Sequence, residues 1–283
     1  MAKKTRQILR RIQNVRHVRQ ITKAMYAIAA TQVIQRKRAL SSARPSGEGI
    51  GAVLARLWAA AGVGGIEHPW FSPSGRPGAA ILVVNSDRGL CGRYVGDINR
   101  AAAELAEEKG GARILAGGDK AWRFFRTRPW PVVATYRHAY ERPTLEVARK
   151  ISTDLEGEYA EVGEVWAVYM DFRGELSQKV VRERLLPLEV PRAEPQDLIL
   201  EPALPRLLDH AARLYLLEKT FLILLSAKAS EQAIRRQTMK AATDNADELI
   251  EKLTLVYNKA RQHGITAELA DIMGGAEALR SAE

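Results

Sequence analysis

Residues 8–40 read ILRRIQNVRHVRQITKAMYAIAATQVIQRKRAL. Ile8, Ile12, Val15, Val18, Ile21, Met25 and Ile28 recur every three or four positions, which keeps one face of a helix apolar. A second stretch answers it at the far end. From Leu204 to Met273, Leu214, Leu217, Phe221 and Leu225 form one seam, and Ala246, Leu249, Leu253, Val256 and Ala260 continue it. No proline follows Pro205. A helix from Arg206 to Leu279 would be roughly 110 Å long at 1.5 Å per residue, whereas a compact domain of this chain length has a radius of gyration of about 19 Å. Such a helix projects from any globule. Its seam needs a helical mate, which the N-terminal stretch supplies as an antiparallel coiled coil.

Charge is concentrated at the N-terminus. The chain has 283 residues and net charge +10. Residues 1–47 hold twelve Lys or Arg and no acid, and Glu48 is the first carboxylate. The twelve exceed the net charge of the whole chain, so everything after residue 47 is slightly acidic. A helix this basic asks for an acidic partner: nucleic acid, an anionic membrane or an acidic protein surface. Cys91 is the single cysteine, which excludes a disulfide framework and a thiolate metal site. The N-terminus, Met-Ala-Lys-Lys-Thr-Arg, lacks an apolar signal core, so secretion is not expected. The richest apolar run, Leu214 to Ala229, is broken by Glu218, Lys219 and Lys228 and is too short in uninterrupted residues to span a membrane.

The middle of the chain alternates. Pro45, Gly47, Gly49 and Gly51 are expected to weaken or kink the first helix and to form a flexible joint before Ala52 to Ala61. Residues 62–78, rich in Gly, Pro and Ser, read as a linker. Strands are expected at Ala80–Asn85, Ala112–Ala116, Pro131–Tyr136 and Val165–Phe172, with a fifth at Lys179–Leu186 paired through a turn at Gly174. Helices are expected at Tyr94–Lys109, Asp119–Thr127 and Thr144–Tyr159. This alternation predicts a Rossmann-like α/β domain of about five strands, with a parallel sheet and helices on both faces. Prolines 187, 191, 195, 202 and 205 mark the return to the C-terminal helix. The domain divisions that follow are 1–61, linker 62–78, 79–190, linker 191–205, and 206–283.

An α/β layer invites a nucleotide, but there is no G-x-x-x-x-G-K-[ST] and no G-x-G-x-x-G between a strand and a helix. The run Asp87-Arg88-Gly89-Leu90-Cys91-Gly92 sits where α/β ligands bind but lacks a catalytic base or phosphate lysine, and it reads as a structural turn. Cys91 reads as a small buried residue. His17, His68, His138, His210 and His263 show no metal-ligand spacing. No metal, cofactor or catalytic residue is therefore expected. Asp244, Asp247, Glu248 and Glu251, between Lys240 and Lys252, read as helical charge pairing.

Several motifs resemble the γ subunit of rotary F-type ATP synthases. They are Arg10-Arg11-Ile12 through Gln20-Ile21-Thr22-Lys23-Ala24-Met25 with Ala29-Ala30, then Ser86-Asp87-Arg88-Gly89-Leu90-Cys91-Gly92. At the far end are Ala229-Ser230-Glu231-Gln232-Ala233, Met239-Lys240, Ala242-Thr243-Asp244-Asn245-Ala246, Leu255 through Gln262, Ile265-Thr266 and Gly274-Gly275-Ala276. The resemblance covers the chain in order, strong at both ends and weak from about residue 93 to 200. It implies a central shaft: an antiparallel coiled coil with an α/β domain at its foot. The shaft would stand inside a ring of alternating α and β subunits, with the foot against the ε subunit and a membrane ring of c subunits, and with δ in the same complex. It further implies one copy per complex, a peripheral position on the cytoplasmic side of the cell membrane, and no chemistry of its own.

By position, Lys23 and Met25 fall in the segment near acidic loops of β subunits, with Arg10 and Arg11 expected as further contacts from the charge of the same helix, and Arg235 matches a basic coupling residue. Arg261, Gln262 and Thr266 match polar shaft residues that hydrogen-bond β subunits. Arg93 and Tyr94, Arg236 and Gln237, and the tail 277–283 depart from the family pattern. A basic coiled coil that binds nucleic acid is the alternative reading, with Tyr26 the one stacking aromatic on the basic helix.

Overall fold

The computed structural model describes residues 2–63, 65–139, 141–189, 193–194 and 199–280, with the side chains of 2–4 and 277–280 excepted. Two long helices bracket the chain: α1 (Ala2–Val63, 62 residues) and the last helix, α5 (Leu204–Arg280, 77 residues). Between them come β1 (Ala79–Val84), α2 (Tyr94–Glu108), β2 (Ala112–Gly117), α3 (Asp119–Phe125), β3 (Val132–Tyr136), α4 (Leu145–Tyr159), β4 (Glu164–Phe172) and β5 (Gln178–Leu186). The elements expected from the alternation are all present, with ends moved by a residue or two. The expected prolines 191 and 195 lie outside the described residues. The chain forms two compact units, Ala29–Arg235 and the pair Met1–Ile28 with Arg236–Glu283.

In the larger unit the sheet order is β3-β2-β1-β4-β5. The first four strands are parallel, and β5 returns antiparallel to β4 through a turn in which Ser177 N donates to Gly174 O at 3.3 Å. β1 is buried along its whole length, which suits Ala79–Val84 having no polar side chain. Ile81 and Val83 face a core with α2 and α3 residues such as Ile98 and Phe125. Ala80, Leu82 and Val84 face the other way, toward Ile151 and Leu155 of α4 and toward Leu54, Leu208 and Leu216 of the long helices. Opposite faces for α2/α3 and α4 follow from right-handed crossovers running first one way along the sheet and then the other. Thr144 caps α4 by accepting from Val147 N at 3.3 Å.

The first helix corrects one expectation. α1 runs unbroken through Pro45, Gly47, Gly49 and Gly51, so this segment is not a flexible joint between two helices. A proline inside a helix costs about 3 kcal/mol. Here the flanking residues pack against α5: Leu40 and Ala43 join Leu222, Leu225, Ala229 and Ala233 in one cluster with Val33 and Phe172. The glycines are contact points. A Cβ at Gly47 would come 2.5 Å from Leu222 Cδ1, and one at Gly51 would come 3.3 Å from the Tyr215 ring. The pairing of 47 with 222 and of 51 with 215 makes the two helices antiparallel. α5 begins at Leu204, where the second long stretch was expected to begin, with Pro205 in its first turn, where a missing N–H has no helical acceptor to lose.

In the smaller unit the seam differs from the apolar pattern. On α1 the seam positions Thr5, Ile8, Ile12, Val15, Arg19, Thr22 and Tyr26 are buried or half-buried in a strict three-four spacing, with Met25 half-buried beside them. Val18, Ile21 and Ile28, expected in the seam, are 53%, 60% and 60% exposed. After Val15 the apolar residues step by three, drifting off the face that a two-helix seam requires, and Arg19 and Thr22 take the inner positions. On α5 the inner positions are Met239, Thr243, Ala246, Ile250, Leu253, Tyr257, Ala260 and Gly264. Leu249 and Val256 are correspondingly outside. Polar seam residues find partners across the pair. The Thr22 and Thr243 hydroxyls lie 2.9 Å apart, and Arg19 forms an ion pair with Asp247.

Candidate functional site

A doubly wound sheet binds its ligands beyond the carboxyl ends of the strands, where the strand order reverses. Here that point lies between β1 and β4. The chain's own α5 fills it. Ser226 Oγ donates to Asp171 Oδ1 and accepts from Phe172 N, both at 2.8 Å. Tyr94 donates its hydroxyl to Ala227 O at 3.1 Å. Ile234 packs with Val168, Met170, Cys91 and Tyr94. Burial drives the Tyr94 hydroxyl pKa well above its usual range and raises that of the Cys91 thiol, so both are neutral packing groups. The crevice that would take a nucleotide is a helix-docking groove.

The turn 85–92 is built to receive that helix. Asn85 Nδ2 donates to Asn99 Oδ1 at 2.8 Å and to Val95 O at 3.1 Å, and Ser86 Oγ donates to Arg88 O at 2.8 Å. Gly92 has φ 55°, as its residue type permits, and Leu90 at the tip has φ 60° with a side chain 61% exposed. Asp87 Oδ1 accepts from Asp119 N at 2.9 Å and His138 N at 3.0 Å, so one carboxylate ties together the turns after β1, β2 and β3.

Against this turn lies a buried ion triad on one face of α5. Glu231 meets Lys228 Nζ at 2.9 Å and Arg235 at 2.7 Å, and Arg235 also donates to Gly89 O at 3.4 Å. All three residues are buried. The sequence singled out Arg235 alone. The spacing of Lys228, Glu231 and Arg235 at i, i+3 and i+7 was the signal for the triad, and the surrounding apolar residues concealed that it is buried.

The remaining expected site residues lie in the smaller unit. Arg10, Arg11 and Lys23 are exposed on α1, together with Arg6 and Arg16. Met25 is half-buried beside the seam. Arg261, Gln262 and Thr266 are exposed on α5, and Thr266 donates to Gln262 O at 3.0 Å. Gly264 leaves the seam open there, and a groove of about 300 Å³ lies between Thr5, Arg6 and Leu9 on one side and Tyr257, Arg261 and Glu268 on the other. The expected charge pairing holds for Lys240 with Asp244 and Lys252 with Glu248, whereas Asp247 turns to Arg19. In the larger unit a cavity of about 630 Å³ lies between α1 and α5. On its walls Glu183 meets Lys219 and Tyr169, and Asp171 meets Ser226, while Arg44, Glu48 and Arg56 of α1 also line it.

A family model described as ATP synthase matches residues 4–279. The chain belongs to the ATP synthase gamma-chain family. The gamma chain of Desulfitobacterium hafniense is 36% identical over 278 residues, 97% of this chain and 98% of its own. That of Desulforamulus reducens is 37% identical over 280 residues, with the same coverage. That of Mycolicibacterium smegmatis is 37% identical over 306 residues, 99% of each chain. In the solved Tetrahymena thermophila mitochondrial ATP synthase, a chain of the central stalk and c-ring shares this fold with TM-score 0.65 at 23% identity, covering 78% of this chain and 99% of that one. A chain of the Euglena gracilis enzyme does so with TM-score 0.67 at 15% identity, covering 100% and 96%. By that membership the present chain is an ATP synthase subunit of the gamma type. Among its described residues, no helix is long and apolar enough to cross a membrane.

Proposed function

We propose that the helix pair turns as a shaft, coupling proton flow through a membrane ring of c subunits to ATP synthesis or hydrolysis on β subunits, and that the chain contributes no catalytic group. The observation that carries this reading is the charge on the smaller unit. Arg6, Arg10, Arg11, Arg16 and Lys23 all stand exposed on α1, which has no carboxylate before Glu48. The exposed side of α1, basic all round, fits acidic loops on β subunits and differs from the α5 side of the pair, where Lys240, Asp244, Glu248 and Lys252 mix both signs. Rotation would therefore present β subunits with different surfaces in turn. Each surface favours a different β conformation, and each conformation has its own nucleotide affinity.

In this reading Lys23 and Met25 meet the β subunits low on the shaft, and Arg10 and Arg11 meet them nearer the end where Arg6 and Leu9 face Tyr257 and Arg261. Arg261, Gln262 and Thr266 meet them higher up, and Arg235 links the shaft to the turn at Gly89. The partners are the alternating α and β subunits, ε, δ and the c-ring. One copy serves each complex, which sits peripherally on the cytoplasmic side of the cell membrane.

The test is charge reversal of Arg10, Arg11 and Lys23 together in the reconstituted complex. ATP-driven proton pumping divided by ATPase rate is expected to fall. An unchanged ratio in a fully assembled complex overturns the role of this face. The nucleic-acid reading predicts instead a gel shift that weakens steeply with salt.

A further inference from the structure

We propose that Asp87, His138 and Glu141 form a binding site for a transition-metal dication of the zinc type. A carboxylate oxygen of Asp87, an imidazole nitrogen of His138 and a carboxylate oxygen of Glu141 lie within 4.8 Å of one another. His138 and Glu141 are three positions apart, whereas Asp87 lies 51 positions before His138. Asp87 follows β1, whereas His138 and Glu141 sit in the turn after β3, and the parallel sheet brings the two turns side by side.

The second observation is Asp87 itself. Its side chain is 2% exposed. Oδ1 accepts two backbone N–H groups, but Oδ2 has no hydrogen-bond partner. A buried carboxylate oxygen without a donor is unfavourable and calls for a positive ligand. His138 Nδ1 is the nearest ionisable nitrogen, 3.7 Å from Oδ1, on a side chain that is two-thirds exposed and free to turn.

One imidazole and two carboxylates are donors that suit zinc and its neighbours. The nitrogen disfavours magnesium and calcium, which prefer oxygen alone. Three protein ligands leave a fourth position for water. Asp87 is fixed by its backbone contacts, and the exposed His138 and half-buried Glu141 move to close the coordination distances. A competing cation is already present: Arg88 Nη2 lies 3.0 Å from Glu141 Oε1. The metal must displace it, so Arg88 sets the affinity. A bound ion would clamp the turn that Arg235 touches through Gly89 to the turn after β3.

The experiment is zinc titration of the metal-stripped, purified full-length chain against a chromophoric chelator, repeated with cobalt to read its visible absorption. One equivalent per chain is expected, with a cobalt spectrum of a four-coordinate nitrogen–oxygen site. His138→Ala and Glu141→Gln should each weaken binding at least about tenfold. Arg88→Gln should tighten it, because Glu141 is released. His210→Ala, on α5 and outside the cluster, should leave it unchanged. Failure of the unaltered chain to bind one equivalent overturns the proposal. Retention of full affinity in His138→Ala, or weaker binding in Arg88→Gln, does so as well.

Discussion

Glu231 and Arg235 lie one helical turn apart on α5 with their charges 2.7 Å from each other and both side chains almost wholly buried. An exposed pair of this kind is worth a few tenths of a kcal/mol. Burial changes the stakes, because each charge has given up water. With Lys228 on the other carboxylate oxygen and Gly89 O on the guanidinium, the triad is satisfied only as a whole. Arg235→Ala leaves the Glu231 charge half-compensated in the interior. It is expected to destabilise the purified chain by about 3–5 kcal/mol, read as the shift in denaturant midpoint. Replacing Lys228, Glu231 and Arg235 together with apolar residues of similar volume is expected to be near neutral for stability. If Arg235→Ala is also neutral, the triad is not a buried network.

The corrected seam makes a second prediction. Ile12 is 3% exposed, and Ile12→Ala should cost about 2–5 kcal/mol. Ile21→Ser and Val18→Ser, on the outer face, should change the stability of the isolated chain by about 0.5 kcal/mol or less. Thermal unfolding of the three variants checks this. The apolar pattern of the sequence alone orders them differently.

Gly163 sits where the segment before β1 crosses the segment before β4. Gly163 N donates to Gly78 O at 3.2 Å, and a Cβ at this position would come 2.2 Å from Arg76 O. A backbone oxygen cannot rotate aside as a side chain does. Gly163→Ala is expected to destabilise by about 1–3 kcal/mol. Gly157→Ala, with open space around its α-carbon, should be neutral or slightly stabilising. A pair of thermal melts separates the two outcomes.

His68 supplies a pH dependence. It is buried against Trp70 and Phe71, accepts from Trp70 N through Nδ1 at 3.2 Å, and places Nε2 3.6 Å from Asp209. Burial lowers its pKa from the usual value, and Asp209 offsets this only in part. A histidine with a lowered folded pKa binds fewer protons than the unfolded chain. Its contribution to stability is full above about pH 6.5, the unfolded value. It is lost as pH falls from there through the lowered folded value. His68→Gln should therefore lose less stability than the unaltered chain between pH 7.5 and pH 5. Equal losses would show that His68 does not titrate differently on folding.

The strands and helices of the middle were legible because each is short, bounded by Gly or Pro, and of one period. Ala79–Val84 is apolar throughout, so it had to be a strand buried on both faces. The two long helices were legible from the scarcity of stops, and the basic face of α1 from the missing acids. Motifs at Ser86–Gly92 and Ala229–Gln262 carried the family.

Other features depended on which groups meet in space. Pro45 reads as a break until Leu40 and Ala43 are seen packed on α5, since a local cost of a few kcal/mol yields to a longer packed interface. Val18 and Ile21 read as seam residues until Arg19 and Thr22 find Asp247 and Thr243 across the pair, because hydrophobicity does not record partners. Lys228, Glu231 and Arg235 look like surface charges until the turn at Gly89 closes over them. The same holds for Asp87 and His138, 51 positions apart, whose meeting depends on the order in which the strands line up in the sheet. The sequence by itself determined the elements, the charge and the lineage. Only the tertiary structure decided which polar groups are buried and with whom, because a side chain's environment comes from contacts distant along the chain.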